Sequence, residues 1–420
     1  MVALSMPMMM MFGALVILTL CSVFSVKYRD LGFFGALVAI ILGFSAVTLK
    51  NPALIYYTVF VLAISIINLL SLKRIKSVIQ GVDFGLVGLM ALATLYIFST
   101  QDLAMILAAF VLVSVPTYIL VMIREGGANV EVGIKYITFM VLATVLFLIG
   151  AIILVYTKNA FSGILYIFGY VMLVLGLSIE VGIAPLHEWV PDVFTSADPI
   201  PMSIIASLAK IVPFVIALQI LMSTSNSLTV SITLFTAVLA AISMFTGNIG
   251  ALTSKEPARV LGYSTVANMG YVLACVVVVV KPEFFYFALT GVLLMLFSNA
   301  AGKIGFFNAI KNKGAYSPLM YMLAFSFIGI PPLMGFWGKL FILFALIKAE
   351  YIWLAAIIVI NSAISVPYYT RLARELGEGW KATLTNYICI AAVIIILITF
   401  LPDWFFKGVE VIAQTISIAI

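Results

Sequence analysis

Apolar stretches of about 20 residues recur along the whole chain, separated by short polar connections, and that length is what an α-helix needs to cross a bilayer core. The pattern predicts fourteen spans, at 2–26, 31–49, 52–72, 77–99, 103–123, 136–156, 161–185, 200–222, 228–249, 258–280, 284–310, 317–347, 351–371 and 383–402. No connection is long enough for a soluble domain. The chain therefore reads as an all-α polytopic membrane protein.

Composition sharpens this reading, because 65% of the residues are hydrophobic and only 9% are charged. The net charge of +6 is sorted by loop and is no nucleic-acid signal. One set of alternate loops carries Lys27, Arg29, Lys73, Arg74, Lys76, Arg124, Lys135, Lys255, Arg259, Lys311, Lys313, Arg371, Arg374 and Lys381. The other carries only Lys50, Lys158, Lys281, Lys348 and Lys407. By the positive-inside rule the first set faces the cytoplasm, so both termini are expected on the outer side of a cell (inner or plasma) membrane. The first span lacks a charged start and a small-residue cleavage pattern, so it is expected to be retained rather than removed as a signal peptide.

Four charged residues fall inside apolar runs: Glu180, Lys210, Lys303 and Lys339. On insertion scales each costs about 2.5 to 3.5 kcal/mol at a membrane centre, and an ionisable group kept at that depth points to function. They mark the candidate ion pathway.

Two spans are interrupted in matching ways, by Gly182-Ile-Ala-Pro185 just after Glu180 and by Gly329-Ile-Pro-Pro332 just before Lys339. Proline removes a backbone donor and clashes with the preceding turn, so Gly182, Pro185, Gly329, Pro331 and Pro332 predict broken helices. Paired breaks in two halves are the mark of an inverted-repeat transporter with its site at mid-membrane. The expected division is N-terminal helices over 1–99, a first five-helix repeat over 77–222, a second over 228–375, and a last helix with a short tail over 383–420. The first repeat begins at about 77, inside the N-terminal region.

Other chemistry is sparse. The connections hold no nucleotide fingerprint, no Cys-x-x-Cys and no His-Glu-x-x-His, so the chain by itself is not expected to seat a flavin, a nicotinamide, a metal or an iron–sulfur cluster. Cys21, Cys275 and Cys389 lie far apart in apolar spans and read as small core residues. Glu125 and Glu131 read as solvated, with Glu131-x3-Lys135 spaced to support a helix start. Lys255, Glu256 and Arg259 read as a headgroup anchor, and Tyr156, Trp353 and Trp404 as part of an interfacial belt.

The run Glu180-Val-Gly-Ile-Ala-Pro185-Leu-His187-Glu-Trp189-Val-Pro191-Asp192 resembles the lysine-headed Pro-x-His-x-Trp-x-Pro-Asp signature of the antiporter-like subunits of respiratory complex I, multisubunit cation/proton antiporters, and energy-converting hydrogenases and related reductases. Ala206-Ser-Leu-Ala-Lys210 is similar to that family's next lysine-bearing helix. Further matches are Arg259 through Tyr271, Ser298 through Lys303, and Gly329 through Lys339. The last resembles the form in the quinone-side member of complex I and in the D-type antiporter subunit. Together they cover about residues 100 to 375.

The resemblance implies two inverted half-channels joined by a hydrated row of charged residues. By position, Lys210 would be the central relay, Lys339 the terminal group of the second half, and Lys303 and His187 intermediates. The residue types suit this, since a lysine desolvated between helices gives up its proton more readily than one in water. His187, the only histidine, titrates near neutrality without help. Redox centres such as iron–sulfur clusters would belong to peripheral partner subunits, beside other membrane subunits and the lipid bilayer, with no nucleic acid.

Two departures matter. The family's fifth helix carries a glutamate five residues before a proline, paired with the lysine that heads the seventh-helix signature; here those positions are Val111 and Glu180. An acid replaces the base, and a hydrophobe replaces the acid. Either the negative charge has changed helices, so that Glu180 faces Lys210 in a new pair, or the first half is disabled and Glu180 remains as a structural partner. Asn268 also stands where relatives often have histidine. The chain is expected to translocate protons or sodium ions within a redox-driven pump; the alternatives are a stand-alone antiporter subunit and a non-conducting structural subunit.

Overall fold

A computed structural model describes residues 5–76, 79, 81–100, 102–159, 162–398 and 407–410. Its helices are α1 (Met6–Ser25), α2 (Arg29–Lys50), α3 (Ile55–Leu72), α4 (Val82–Tyr96), α5 (Leu103–Leu120), α6 (Val130–Asn159), α7 (Gly163–Val181), α8 (Trp189–Ser196), α9 (Pro199–Ser207), α10 (Ile211–Thr224), α11 (Thr229–Thr253), α12 (Pro257–Ala274), α13 (Phe285–Asn312), α14 (Ser317–Ile328), α15 (Met334–Lys348), α16 (Ile352–Glu375) and α17 (Leu384–Leu397). Eleven stretches among the described residues are long and apolar enough to cross a membrane, and Val82–Tyr96, Ser317–Ile328 and Leu384–Leu397 are shorter apolar helices. The protein is a multi-pass membrane protein. Trp404, with the rest of 399–406 and 411–420, lies outside the described residues.

The all-α expectation omits two minimal strand pairs. Gly126, at φ +70°, turns the α5–α6 connection back on itself, so that Ile123–Arg124 pairs antiparallel with Gly127–Ala128. Ala315–Tyr316 pairs in parallel with Gly377–Glu378, tying the start of α14 to the end of α16.

Burial sets the layout. In the most apolar window of Pro199–Thr224, 94% of residues are buried, against 17% for Met6–Ser25, so α9 and α10 run through the centre while α1 lies at the rim. Without a hydrophobic drive between helices in lipid, close backbone approach at small residues holds neighbours together. A Cβ on Gly150 of α6 or Gly176 of α7 would lie 2.4 Å from a backbone nitrogen of the other helix.

Charge supports the loop alternation. Among the described residues the ion pairs between loop groups all stay within one loop set, such as Lys135–Asp192, Arg259–Asp192 and Lys311–Asp198 on one side and Lys281–Glu350 on the other. None crosses between sets. Lys135 of α6 thus turns to Asp192 at 2.5 Å rather than to Glu131, and Arg259 also reaches Asp192, at 3.2 Å. A fixed carboxylate within reach outcompetes a solvated neighbour one turn away.

Candidate functional site

The first break begins where α7 stops at Val181. Gly182 takes the left-handed conformation at φ +85°, and the backbone N–H groups of Gly182 and Ile183 both return to the Ser178 carbonyl, at 3.0 and 2.7 Å. This is the usual glycine ending of a helix, and Pro185 prevents its continuation. The last carbonyls are then left for side chains. Trp189, fully buried at the start of α8, donates from Nε1 to the Ile179 carbonyl at 2.9 Å, and Lys210 donates from Nζ to the Glu180 carbonyl at 2.7 Å. The same ammonium sits 4.8 Å from the Trp189 ring centre, a cation–π contact.

Lys210 owes its place to an unpredicted irregularity. Leu208–Lys210 is a 3₁₀ turn between α9 and α10, because Pro213 has no N–H to give the Ala209 carbonyl. The predicted span at 200–222 is therefore itself interrupted at its charged residue. A proline three residues after a lysine is the signal that points to it.

The Glu180 side chain does not meet Lys210. Its Oε1 accepts from the Ser114 hydroxyl at 2.7 Å, and its Oε2 is buried with no hydrogen-bond partner among the described residues. The expected carboxylate–ammonium pair is corrected to a contact through the backbone. Val111 offers no partner on α5, but Ser114 one turn later does, while the helix end draws the ammonium. Behind Ser114, Tyr136 donates to Thr117 at 3.0 Å and stands edge-on to Trp189.

The second break repeats the first. α14 stops at Ile328, Gly329 has φ +90°, and the N–H groups of Gly329 and Ile330 both reach the Phe325 carbonyl at 3.0 Å. Lys339 of α15 donates to the Phe327 and Ile328 carbonyls at 3.0 and 2.9 Å, with the Tyr271 ring centre 4.9 Å away. In each half, then, a lysine from another segment caps the carbonyl end of the broken helix against an aromatic face. The negative end of a helix dipole favours a cation there.

Lys303 of α13 donates to the Leu261 carbonyl at 2.6 Å and to the Ser264 hydroxyl of α12. Its ammonium lies 5.4 Å from the Phe327 ring centre, and Phe327 stacks on Tyr369. Around these cations runs a series of amides and phenols. Asn248 donates to Tyr271 at 3.3 Å and to Asn361 at 2.8 Å and accepts from Tyr368 at 2.8 Å; Tyr368 touches Tyr369, which accepts from Asn268 at 3.1 Å. Asn268 reaches Asn299 at 3.5 Å, and Asn299 donates to the Ala206 carbonyl at 3.1 Å, one turn before Lys210. The sequence reading missed this series apart from Asn268. Asparagines inside apolar spans were the available signal.

Glu180, Lys210, Lys303 and Lys339 are all buried, at 4%, 2%, 0% and 6% exposure. His187 stands apart, half-buried in the turn before α8 with its ring 6.2 Å from Tyr263 and no hydrogen bond to any of the four. The geometry holds these four groups in the buried interior with polar side chains between them.

Broken helices and buried cations on a polytopic scaffold define an antiporter-like membrane subunit. Residues 100–365 match the family described as NADH:quinone oxidoreductase/Mrp antiporter, transmembrane, and the chain belongs to that family. It is 28% identical to NADH-quinone oxidoreductase subunit N of Helicobacter hepaticus, with 88% of this chain and 84% of that protein covered, and 29% identical to the protein of the same name from Bdellovibrio bacteriovorus, over 76% and 75%. The fold matches a chain of respiratory complex I from Thermus thermophilus at TM-score 0.76 with 22% identity, over 94% of this chain and 98% of that one. It matches a chain of the Mrp complex from Dietzia sp. at 0.80 with 15% identity, over 99% and 97%, and one of an archaeal membrane-bound sulfane sulfur reductase at 0.79 with 16%, over 98% and 97%.

Proposed function

We propose that this chain moves protons, or sodium ions, across a cell membrane inside a redox-driven complex of the complex I or membrane-bound hydrogenase type. Electron chemistry would reside in partner subunits carrying iron–sulfur or other redox centres, next to further membrane subunits. Lys210 is the central relay, Lys339 the terminal group, Lys303 the link between them and Glu180 the acidic partner of the first half, while His187 serves the turn beside the break. The chain forms fourteen spans with both termini outside, in two inverted five-helix repeats over 77–222 and 228–375.

The observation that carries the reading is the matched capping of both broken helices by buried lysines, Lys210 on Glu180 and Lys339 on Phe327 and Ile328. Each ammonium is held by carbonyls and an aromatic ring, with no carboxylate bonded to it, so its charge is left open to the field of its neighbours. Movement of one charge then shifts its neighbour. The amides and phenols between the sites hold water through which a proton passes.

The decisive experiment replaces Lys339 with Met in the assembled complex and follows acidification of inverted membrane vesicles on addition of the electron donor. Loss of pumping with normal assembly is expected. Full pumping would overturn the reading and favour the structural alternative, which the same lysine-to-carbonyl bonds also suit.

A further inference from the structure

The face of α3 opposite α9 and α13 is polar in a way the two broken helices do not explain. Asn68, Ser71 and Arg74 follow one another at the spacing of successive turns. Asn68 and Ser71 are fully buried, whereas Arg74 is half-buried at the end where the basic loops gather. Arg74 donates to Asn308 at 3.1 Å, Asn308 donates to Ser71 at 3.1 Å, and Asn68 donates to Ser207 at 3.0 Å. Ser207 lies one turn before Lys210. A helix rises 1.5 Å per residue, so Asn68 is about 9 Å deeper than Arg74, and Lys210 is about 18 Å from Asp198 at the mouth of the same seam. That depth is near the middle of a bilayer of about 30 Å.

A second observation points to an occupant. Asn68 Oδ1 is buried with no hydrogen-bond partner among the described residues, and so is Glu180 Oε2 on the far side of the Lys210 turn. Buried acceptors of this kind hold ordered water. At the mouth, Asp198 pairs with Lys311 at 2.6 Å and the exposed Glu125 lies 3.8 Å from the same lysine, so charged groups mark where the seam meets the basic-loop face. Lys303, by contrast, turns to α12 and not to α3.

We propose that this α3 seam is a proton access route from the basic-loop face to Lys210, passing outside the first broken helix. It rests on Lys210 acting as a relay. Asn68, Ser71, Asn308 and Ser207 carry no proton themselves; they position the waters along which it moves to the neutral Lys210 amine, converting it to the ammonium. The fixed positive charge of Arg74 at the mouth disfavours a bare metal cation more than a proton passed between waters. The route also accounts for a first half that has lost its usual Glu–Lys pair at Val111 and Glu180.

The test uses the assembled complex in inverted vesicles. Asn68→Val with Ser71→Ala is expected to slow donor-driven acidification at least tenfold at unchanged complex content, and Asn68→Ser, which still binds water, is expected to restore most of it. A full rate in the double variant overturns the route while leaving the relay intact; a full rate in Lys210→Met overturns the relay itself. If the double variant fails to assemble, Ser71→Cys gives the answer. Reaction with a small, water-soluble, membrane-impermeant thiol reagent applied from the basic-loop side is expected, and its failure to react sinks the route.

Discussion

The Lys210 ammonium meets Glu180 through the backbone: Nζ lies 2.7 Å from the Glu180 carbonyl oxygen, while the Glu180 carboxylate accepts from Ser114 on another helix. One residue thus offers its main chain to the base and its side chain to a hydroxyl. The ammonium is tied to the end of α7, so movement of the break and movement of the charge are linked. Lys339 has the same relation to the end of α14.

Glu180→Gln separates the two possible roles of this acid. A glutamine oxygen accepts from Ser114 as well as the carboxylate does, and the Lys210 contact uses the backbone, so assembly should be unchanged. Only the titratable charge is removed. Under a relay role, donor-driven pumping falls at least tenfold; unaltered pumping in vesicles would leave Glu180 a structural partner.

The two glycine breaks should differ in tolerance. Left-handed backbone costs a residue bearing a Cβ roughly 1 to 2 kcal/mol, which applies to Gly182 and Gly329 alike. A Cβ at Gly182 would also lie 2.3 Å from Val190 Cγ2, whereas at Gly329 the nearest atom is the flexible Lys339 Cδ at 3.1 Å. Gly182→Ala is therefore expected to lower the thermal stability of the detergent-solubilised complex more than Gly329→Ala. Equal losses would show that the crowding at Val190 relaxes without penalty.

Most of the scaffold was legible because bilayer crossing imposes a length and because Gly-Pro clusters stop helices. The buried charges stood out for the same reason: Lys210, Lys303 and Lys339 contradict their surroundings. What sequence could not give is direction. Nothing in the order of residues says that Glu180 turns to Ser114, since carboxylate and carbonyl of one residue compete for the same ammonium and only the packing of α5 decides. The turn at Lys210 was readable from Pro213, but a proline near a helix start is ordinary, and its effect depends on which carbonyl it strands. Asn248, Asn299 and Asn361 look like isolated polar residues until α11, α13 and α16 are set side by side.

Asp192 gives a pH-dependent test. Its carboxyl accepts from Lys135 and lies beside Arg259, and the Lys135 hydrogen bond foremost holds it below the usual carboxylate range. A group whose folded pKa is depressed contributes stability above its unfolded value and loses it as pH falls through the folded one. Wild type and Asp192→Asn should therefore differ in melting temperature at neutral pH. The difference should shrink below about pH 4, the ordinary range of an aspartate. A gap that persists in acid would mean that Asp192 acts by shape rather than charge.

The exchanged charge pair can be put back. Val111 lies one helical turn before Ser114, which holds the Glu180 carboxylate, so a glutamate at 111 would face position 180. Val111→Glu alone sets a second carboxylate beside Glu180, and Glu180→Lys alone sets a second ammonium near Lys210. Each leaves an uncompensated buried charge, a penalty on the order of 3–5 kcal/mol. The double variant creates an opposite-charge pair between α5 and α7. It should assemble better than either single variant, and native gels of solubilised membranes read this directly. If the double variant is no better than the worse single one, positions 111 and 180 do not face each other and the account of how this chain exchanged its first-half pair is wrong.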